Sequence, residues 1–198
     1  GGNSAGVTGA ENVAVGNAAM YVVTSGTDNV AVGALSLFDN TTGSYNTALG
    51  SDALGNNTTA SYNIAVGYQA GYSNTTGAQN TIIGETAGYS ATTAIGNTFV
   101  GSDSGYLNTT GARNSFFGKN SGESITTGSK NTILGSYNGN EGGLDIRTSS
   151  NNIVLSDGDG NPKYAFSGGV AELAGIGGGW LTDSGMRIHT AGGQAQYV

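Results

Sequence analysis

The chain has 198 residues, of which 37 are Gly and one is Pro, and only 10% are charged; this composition argues against both an ordinary globular domain and a charge-rich disordered segment. A formal net charge of −7 and singly scattered Lys and Arg argue against nucleic-acid binding, which needs a clustered basic face. No apolar run is long enough for a membrane-spanning helix, so we expect no membrane insertion. The absence of cysteine suits an exposed extracellular protein.

The first eleven residues resemble the tail of a repeat. Val7-Thr8-Gly9 stands where later units carry Thr-Thr-Gly. We therefore expect the chain to begin inside a coil, as a fragment or a processed product would.

An asparagine then recurs at every seventeenth position and opens phrases such as NVAVG, NTALG and NTIIG. A fixed short period is the signature of a solenoid in which each repeat supplies one coil. The period predicts an all-β protein, a parallel β-solenoid or β-roll of about eight 17-residue coils over residues 1–135. Stacking would place the Asn side chains above one another as a hydrogen-bonded ladder. The members of this ladder are Asn12, Asn29, Asn46, Asn63, Asn80, Asn97, Asn114 and Asn131.

The third and fourth positions of each unit are both apolar, as in Ala65-Val66 and Phe116-Phe117. Adjacent residues of a strand point to opposite faces, so two apolar columns predict a strand that is buried on both sides. One face fills the inside of the coil. The other needs a partner, and we expect self-association about a symmetry axis to supply it.

The second half of each unit is rich in residues that favour turns. After the turns are subtracted, the contour of one coil leaves room for about two short strands. Thr-Thr-Gly, as at 41–43 and 75–77, predicts a short strand followed by a corner. The Asn is expected at the next corner, in left-handed geometry.

An aromatic column follows at the tenth position, at Tyr21, Phe38, Tyr72, Tyr89 and Tyr106. A stripe of tyrosines could bind sugars. A partly buried flank that seals a turn or a seam between chains is the more usual role, and we favour it.

The register breaks after Leu134, and residues 136–166 are expected to form a transition segment and a β-hairpin. A strand restarts at 152–156, and 162–166 is a plausible second strand. Between them, Asp157, Asp159 and Asn161 have the spacing of a calcium loop, but the distal carboxylate of such a loop is absent. A Gly-rich hairpin turn is the better interpretation.

Residues 167–198 form a Gly-rich region that we expect to be a small β-rich C-terminal cap or tip, with one more strand pair within 181–190. Trp180, His189 and Tyr197 are the candidate receptor-binding residues of the chain. The alternative is that the single Trp anchors a local core.

The sequence contains no complete catalytic motif. Asp183, Ser184 and His189 are the residue types of a hydrolase triad, but they lack a nucleophile-elbow context. The run at 175–179 is Gly-rich without the Lys of a phosphate loop. We find no metal-ligand cluster, and we expect neither a cofactor nor an enzymatic activity.

At the phrases NTALG, NIAVG and NTTGAQNTIIG the chain resembles two related groups, the head repeats of YadA-like trimeric autotransporter adhesins and the repeat region of bacteriophage tail fibres. The first resemblance implies a left-handed β-roll with three chains about one axis, although the usual repeat of that group is shorter than the repeat of this chain. The Asn-Thr-Thr-Gly units and the ending at 151–161 are more similar to phage fibres. In such fibres that ending often precedes a chaperone or autoprotease domain, which is not recognisable in 167–198. The resemblance covers residues 1–166.

These features predict a structural subunit of a homotrimeric virion fibre, a phage tail fibre. Eight coils at ~4.8 Å each would give a stiff spacer of about 38 Å. Its tip would touch a host-surface glycan or protein by avidity among three copies. The alternatives are a bacterial surface adhesin head and an extracellular filament whose subunits stack end to end.

Overall fold

The computed structural model describes residues 8–167, 170–172, 188–189 and 195–196, and every regular element in this part of the chain is a β-strand. Eight strands of three residues recur at the repeat period: β1 (Val13–Val15), β2 (Val30–Val32), β3 (Thr47–Leu49), β4 (Ile64–Val66), β5 (Thr81–Ile83), β6 (Thr98–Val100), β7 (Ser115–Phe117) and β8 (Thr132–Leu134). The strands that follow are β9 (Asn140–Glu141), β10 (Leu144–Asp145), β11 (Ile153–Ser156), β12 (Pro162–Ser167), β13 (Val170–Glu172), β14 (Ile188–His189) and β15 (Ala195–Gln196).

Strands β1 to β8 pair in parallel and in chain order, and each residue lies opposite its equivalent in the next coil, as Ala31 does to Ala48. The chain therefore winds as a parallel β-solenoid, and the predicted fold class is confirmed. Each coil has one strand, so the prediction of about two was wrong. The reason lies in the Thr-Thr segment, where the N–H groups of Thr41 and Thr42 both donate to the carbonyl oxygen of Thr58, at 2.9 and 3.2 Å. A parallel strand pair has evenly spaced hydrogen bonds, so two donors on one acceptor are not a strand ladder, and the segment is a bend.

The Asn side chains join each coil to the next. The Oδ1 of Asn29 accepts the backbone N–H of Asn46 at 2.9 Å, and its Nδ2 donates to the carbonyl oxygen of Gly43 at 2.9 Å. The same pattern runs from Asn12 to Asn131 and continues to a ninth rung at Asn152. Left-handed geometry falls on the residue before the Asn, such as Tyr45 with φ 58°, and not on the Asn as expected. The Asn instead leads directly into the extended strand, as Asn46 does into β3.

A second Asn ladder occupies the twelfth position, and the sequence analysis missed it. Asn57 donates to Asn40 Oδ1 at 2.9 Å, and Asn74 donates to Asn57 Oδ1 at 2.7 Å. Ala91 interrupts the column, and the buried Oδ1 of Asn74 and Nδ2 of Asn108 on either side of it have no hydrogen-bond partner. The Asn that opens each Asn-Thr-Thr phrase was the available signal.

The side chains at the third and ninth positions of the repeat fill the core of the coil together. In most coils, where one of them is small, the other is large. Ala31 and Ala48 are accompanied by Leu37 and Leu54, whereas Phe99 and Phe116 are accompanied by glycines. A Cβ on Gly105 would lie under 3.0 Å from the Phe99 ring. One large side chain in each of these coils thus fills the same space from either the strand or the turn.

The parallel stack ends in antiparallel strands. Strand β11 pairs in parallel with β8 after an insertion that holds the β9–β10 hairpin, and β12 then pairs with β11 in antiparallel orientation, as expected for residues 152–166. In the connecting turn, Asp157 accepts the N–H groups of Asp159 and Asn161 and pairs with Lys163 at 2.8 Å. These contacts favour the hairpin-turn interpretation over a calcium loop. Strand β13 pairs with β12. Strand β14 lies in the predicted segment 181–190, but its partner is β15.

The compensation between the third and ninth positions predicts how substitutions at Phe99 and Gly105 combine. Phe99→Ala should destabilise the chain by about 3–5 kcal/mol through a cavity. Gly105→Leu should also destabilise it, because Leu at this left-handed position would overlap the Phe99 ring. The double variant reproduces the Ala–Leu arrangement of the coil that holds Ala48 and Leu54, so its loss should fall short of the sum of the single losses by about 1–3 kcal/mol. Denaturant unfolding of the four proteins measures this coupling, and strictly additive losses would contradict it.

The interrupted second ladder predicts that Ala91→Asn stabilises the protein. The new amide would donate to Asn74 Oδ1 and accept from Asn108, which gives both buried groups a partner. We expect the melting temperature to rise by about 2–4 °C, the shift that ~1 kcal/mol produces in a chain of this size. Ala91→Leu is the control, since Leu has nearly the shape of Asn without its hydrogen bonds. An equal rise for both variants would show that volume, and not the ladder, is responsible.

Candidate functional site

The candidate site is the outer face of the sheet, defined by the side chains at the second and fourth positions of the repeat in β1 to β8 and by the outward residues of β11 and β12. Strand alternation sends the third position into the coil, where Ala31, Ile82 and Phe99 are at most 1% exposed. The second and fourth positions point away from it. Twelve large apolar side chains on this outer face are between 36% and 57% exposed: Val13, Val15, Val30, Leu49, Ile64, Ile83, Phe117, Leu134, Ile153, Leu155, Tyr164 and Phe166.

No charged residue occupies an outward position of β1 to β8 or β11; the positions without an apolar residue carry Thr or Ser. In a sheet with one solvated face, the strand residues that point to that face are normally polar or charged. A continuous exposed apolar stripe is instead the usual mark of an interaction surface. The sequence predicted two apolar faces, and in the single chain one of them is buried and the other is exposed.

The outer face is bordered by the glycine column at the fifth position. Gly84 adopts φ 141°, and a Cβ there would lie under 3.0 Å from the carbonyl oxygen of Gly101 in the next coil. Gly is therefore required by the stacking itself. Because glycine has no side chain, another chain could approach the backbone closely at this border.

The aromatic column forms a separate ladder. Tyr72, Tyr89 and Tyr106 are half-buried and stack with centroids 5.3 Å apart, and Tyr21 stacks on Phe38 at 5.4 Å. A second stack, which the sequence analysis missed, joins the exposed Tyr45 and Tyr62 at 5.0 Å. Their separation by one full repeat was the signal that could have found it.

The predicted receptor-binding residues fall in the C-terminal region, of which only short segments are described. Trp180 and Tyr197 lie outside the described residues, and of His189 only the backbone is described, in β14. Asp183 and Ser184, and the Gly-rich run at 175–179, also lie outside them.

Among the described residues, the titratable groups with displaced pKa values lie in the insertion between β8 and β11 and in the β11–β12 connection, near the end of the stack. A hydrogen bond from Lys163 lowers the pKa of Asp157 to about 2, and one from Arg147 lowers the pKa of Asp145. Burial raises the pKa of Tyr137, whose hydroxyl donates to the carbonyl oxygen of Leu144 at 2.6 Å. Each of these groups is engaged in holding a local turn.

Among the described residues, no group of three or more His, Cys, Asp or Glu side chains is placed to hold a metal ion. The described part of the chain also contains no helix long and apolar enough to cross a bilayer. Comparisons of the chain with protein-family models, with curated proteins and with solved structures yield no match.

Proposed function

We propose that this chain is the structural subunit of a homotrimeric fibre, a bacteriophage tail fibre, in which the stacked coils form a rigid spacer. Residues 167–198 would form the tip that contacts a host-surface glycan or protein, with Trp180, His189 and Tyr197 as its contact residues. No catalysis is required of the protein, because its role would be to span a distance and to present three copies of one tip.

The observation that carries the proposal is the uncharged apolar outer face of the sheet. Its large residues recur at the same strand positions in successive coils, so the stripe runs along the stack axis. Copies of the chain arranged about an axis parallel to the stack would bring identical columns together at each level. Such a cyclic arrangement is closed and would bury the facing columns of every copy.

The resemblance of the Asn-x-Ala-x-Gly and Asn-Thr-Thr-Gly phrases to phage fibres and to YadA-like heads suggests three copies rather than two. It also favours a virion location. A bacterial surface adhesin head has the same requirement for a covered outer face and is the second candidate.

A third arrangement is a filament of subunits that stack end to end outside the cell. It would use the edges of the first and last coils and would leave the outer face exposed, so it accounts less well for the apolar stripe.

The oligomeric state tests the proposal. We expect light scattering after size exclusion to give the mass of three chains. The double change Ile64→Asp and Ile83→Asp places two carboxylates on the outer face, where their desolvation would oppose association. This variant should run as a monomer, and circular dichroism should show that its β-structure is retained.

The matched control is Ile95→Asp with Leu107→Asp. These two side chains are 47% and 41% exposed, comparable to Ile64 and Ile83, but they lie outside the strands, at repeat positions that do not belong to the outer face. The control should remain trimeric. A monomeric parent protein, or dissociation of both variants alike, would contradict the proposal, and a mass that exceeds three chains and rises with concentration would favour the end-to-end filament.

A further inference from the structure

The aromatic column has one gap. Its members in successive coils are Tyr21, Phe38, Gly55, Tyr72, Tyr89 and Tyr106. Neighbouring rings stack at 5.3 to 5.4 Å, and the missing ring at Gly55 interrupts this stacking between Phe38 and Tyr72. The Tyr72 ring leans toward the gap, and its Cε2 would be 3.2 Å from a Cβ on Gly55.

The gap opens into a groove of about 350 Å³. Phe38 lies below it and Tyr72 above it, and Leu35 adds an apolar wall. The remaining lining residues are polar: Asp39, Asp52 and Asn56. We call this cavity the Gly55 groove. It combines two aromatic rings with two carboxylates in one small space.

Neither carboxylate has a cationic partner within the described residues. The Asp52 Oδ2 accepts a hydrogen bond from the Ser51 hydroxyl at 3.0 Å, and the side chain of Asp39 makes no hydrogen bond to a described residue. The sequence has no Lys, Arg or His before Arg113, while it has six Asp and Glu residues in that stretch. The negative charge of the groove is therefore not neutralised by nearby side chains of the chain's own coils.

We propose that the Gly55 groove binds an organic ammonium cation, a quaternary or protonated amine carried on a small apolar body. A cation in the groove would lie between the rings of Phe38 and Tyr72, which both line it, and cation–π attraction acts within ~6 Å of a ring centroid. Asp39 and Asp52 would supply the opposite charge, and Leu35 would contact the apolar body.

This ligand class uses the two rings, the two carboxylates and the apolar wall of the groove. A neutral ring would stack on the aromatic faces but would leave two carboxylates without compensation for their charge. A calcium ion takes about six to eight oxygen ligands at close range, and of the lining side chains only those of Asp39, Asp52 and Asn56 could supply them in the groove. All the lining residues come from a single chain and none lies on the outer face, so the proposal does not depend on the fibre function or on trimer formation.

Choline is the probe, and its neutral isostere 3,3-dimethylbutan-1-ol is the matched ligand, since the two differ in charge but not in shape. Saturation-transfer difference NMR on the full chain should show saturable binding of choline with a dissociation constant in the millimolar range. The neutral alcohol should bind at least about tenfold more weakly. Added salt should weaken choline binding, because part of the attraction is between charges near the surface.

Two variants locate the binding. Gly55→Tyr completes the aromatic column and should abolish choline binding. Gly55→Ala adds one methyl group, to which the Tyr72 ring must yield by only a few tenths of an ångström, and should retain binding. Asp39→Asn with Asp52→Asn should weaken choline binding by about tenfold or more. Asp28→Asn with Glu85→Gln removes the same net charge outside the groove and should leave the affinity within about twofold of the parent protein. Circular dichroism melting checks that each variant is folded.

Equal binding of choline and its neutral isostere would overturn the proposal. So would equal losses from the two charge-removing variants, since the attraction would then come from the overall charge and not from the groove. Saturable binding of a neutral hexose such as glucose in place of choline would make the groove a sugar site, which also contradicts the proposal. If Gly55→Tyr does not fold, the two charge-removing variants still decide the outcome.

Discussion

The structure depends on the hydrogen bonds that join each coil to the next, and above all on the buried Asn at the first position. A coil with one short strand leaves most of its backbone in turns, and the buried polar groups of turns need partners as much as those of strands do. The side chain of Asn46 provides them, since it accepts the N–H of Asn63 at 3.0 Å and donates to the carbonyl oxygen of Ala60 at 2.8 Å. The ladder thus holds together the strand side and the turn side of the stack.

A stack held at backbone hydrogen-bonding distance converts every position of the repeat into a column. Residues of one column contact their equivalents above and below, so the energetics are those of nearest neighbours. A residue that departs from the repeat therefore perturbs only the contacts with the neighbouring coils. Ala91 leaves buried amide groups without partners, and Gly55 interrupts the stacked aromatic column beside a groove, yet the strands on both sides keep their register.

The period of the Asn column was sufficient to predict the coils, the parallel strands and the position of Asn12 and its equivalents. The number of strands in a coil was not predictable from contour length, because residues such as Leu37 and Leu54 adopt left-handed backbone geometry, with φ 48° and 50°, in place of a second extended segment. The pairing of Phe99 with Gly105 required knowledge of which two positions face each other inside the coil. The outer face was predictable as apolar, but a single sequence does not contain the identity of the surface that covers it.

The distribution of apolar residues between the inside and the outside of the coils bears on that covering surface. Where the inner residue of the strand is Ile82, Phe99, Phe116 or Ile133, the second position of the repeat carries Thr or Ser. In the coil of Ala65 and Gly71 both inner positions are small, and Leu54 and Ile82 of the adjacent coils reach within 3.1 Å of the space that a side chain on Gly71 would need. That coil carries Ile64 and Val66 on its outer face. The coil with the least core of its own therefore has the most to gain from burial against another chain, because each buried large apolar side chain contributes ~1.5–3 kcal/mol. In the proposed trimer this contact would stabilise the fibre at the level where the single chain is weakest.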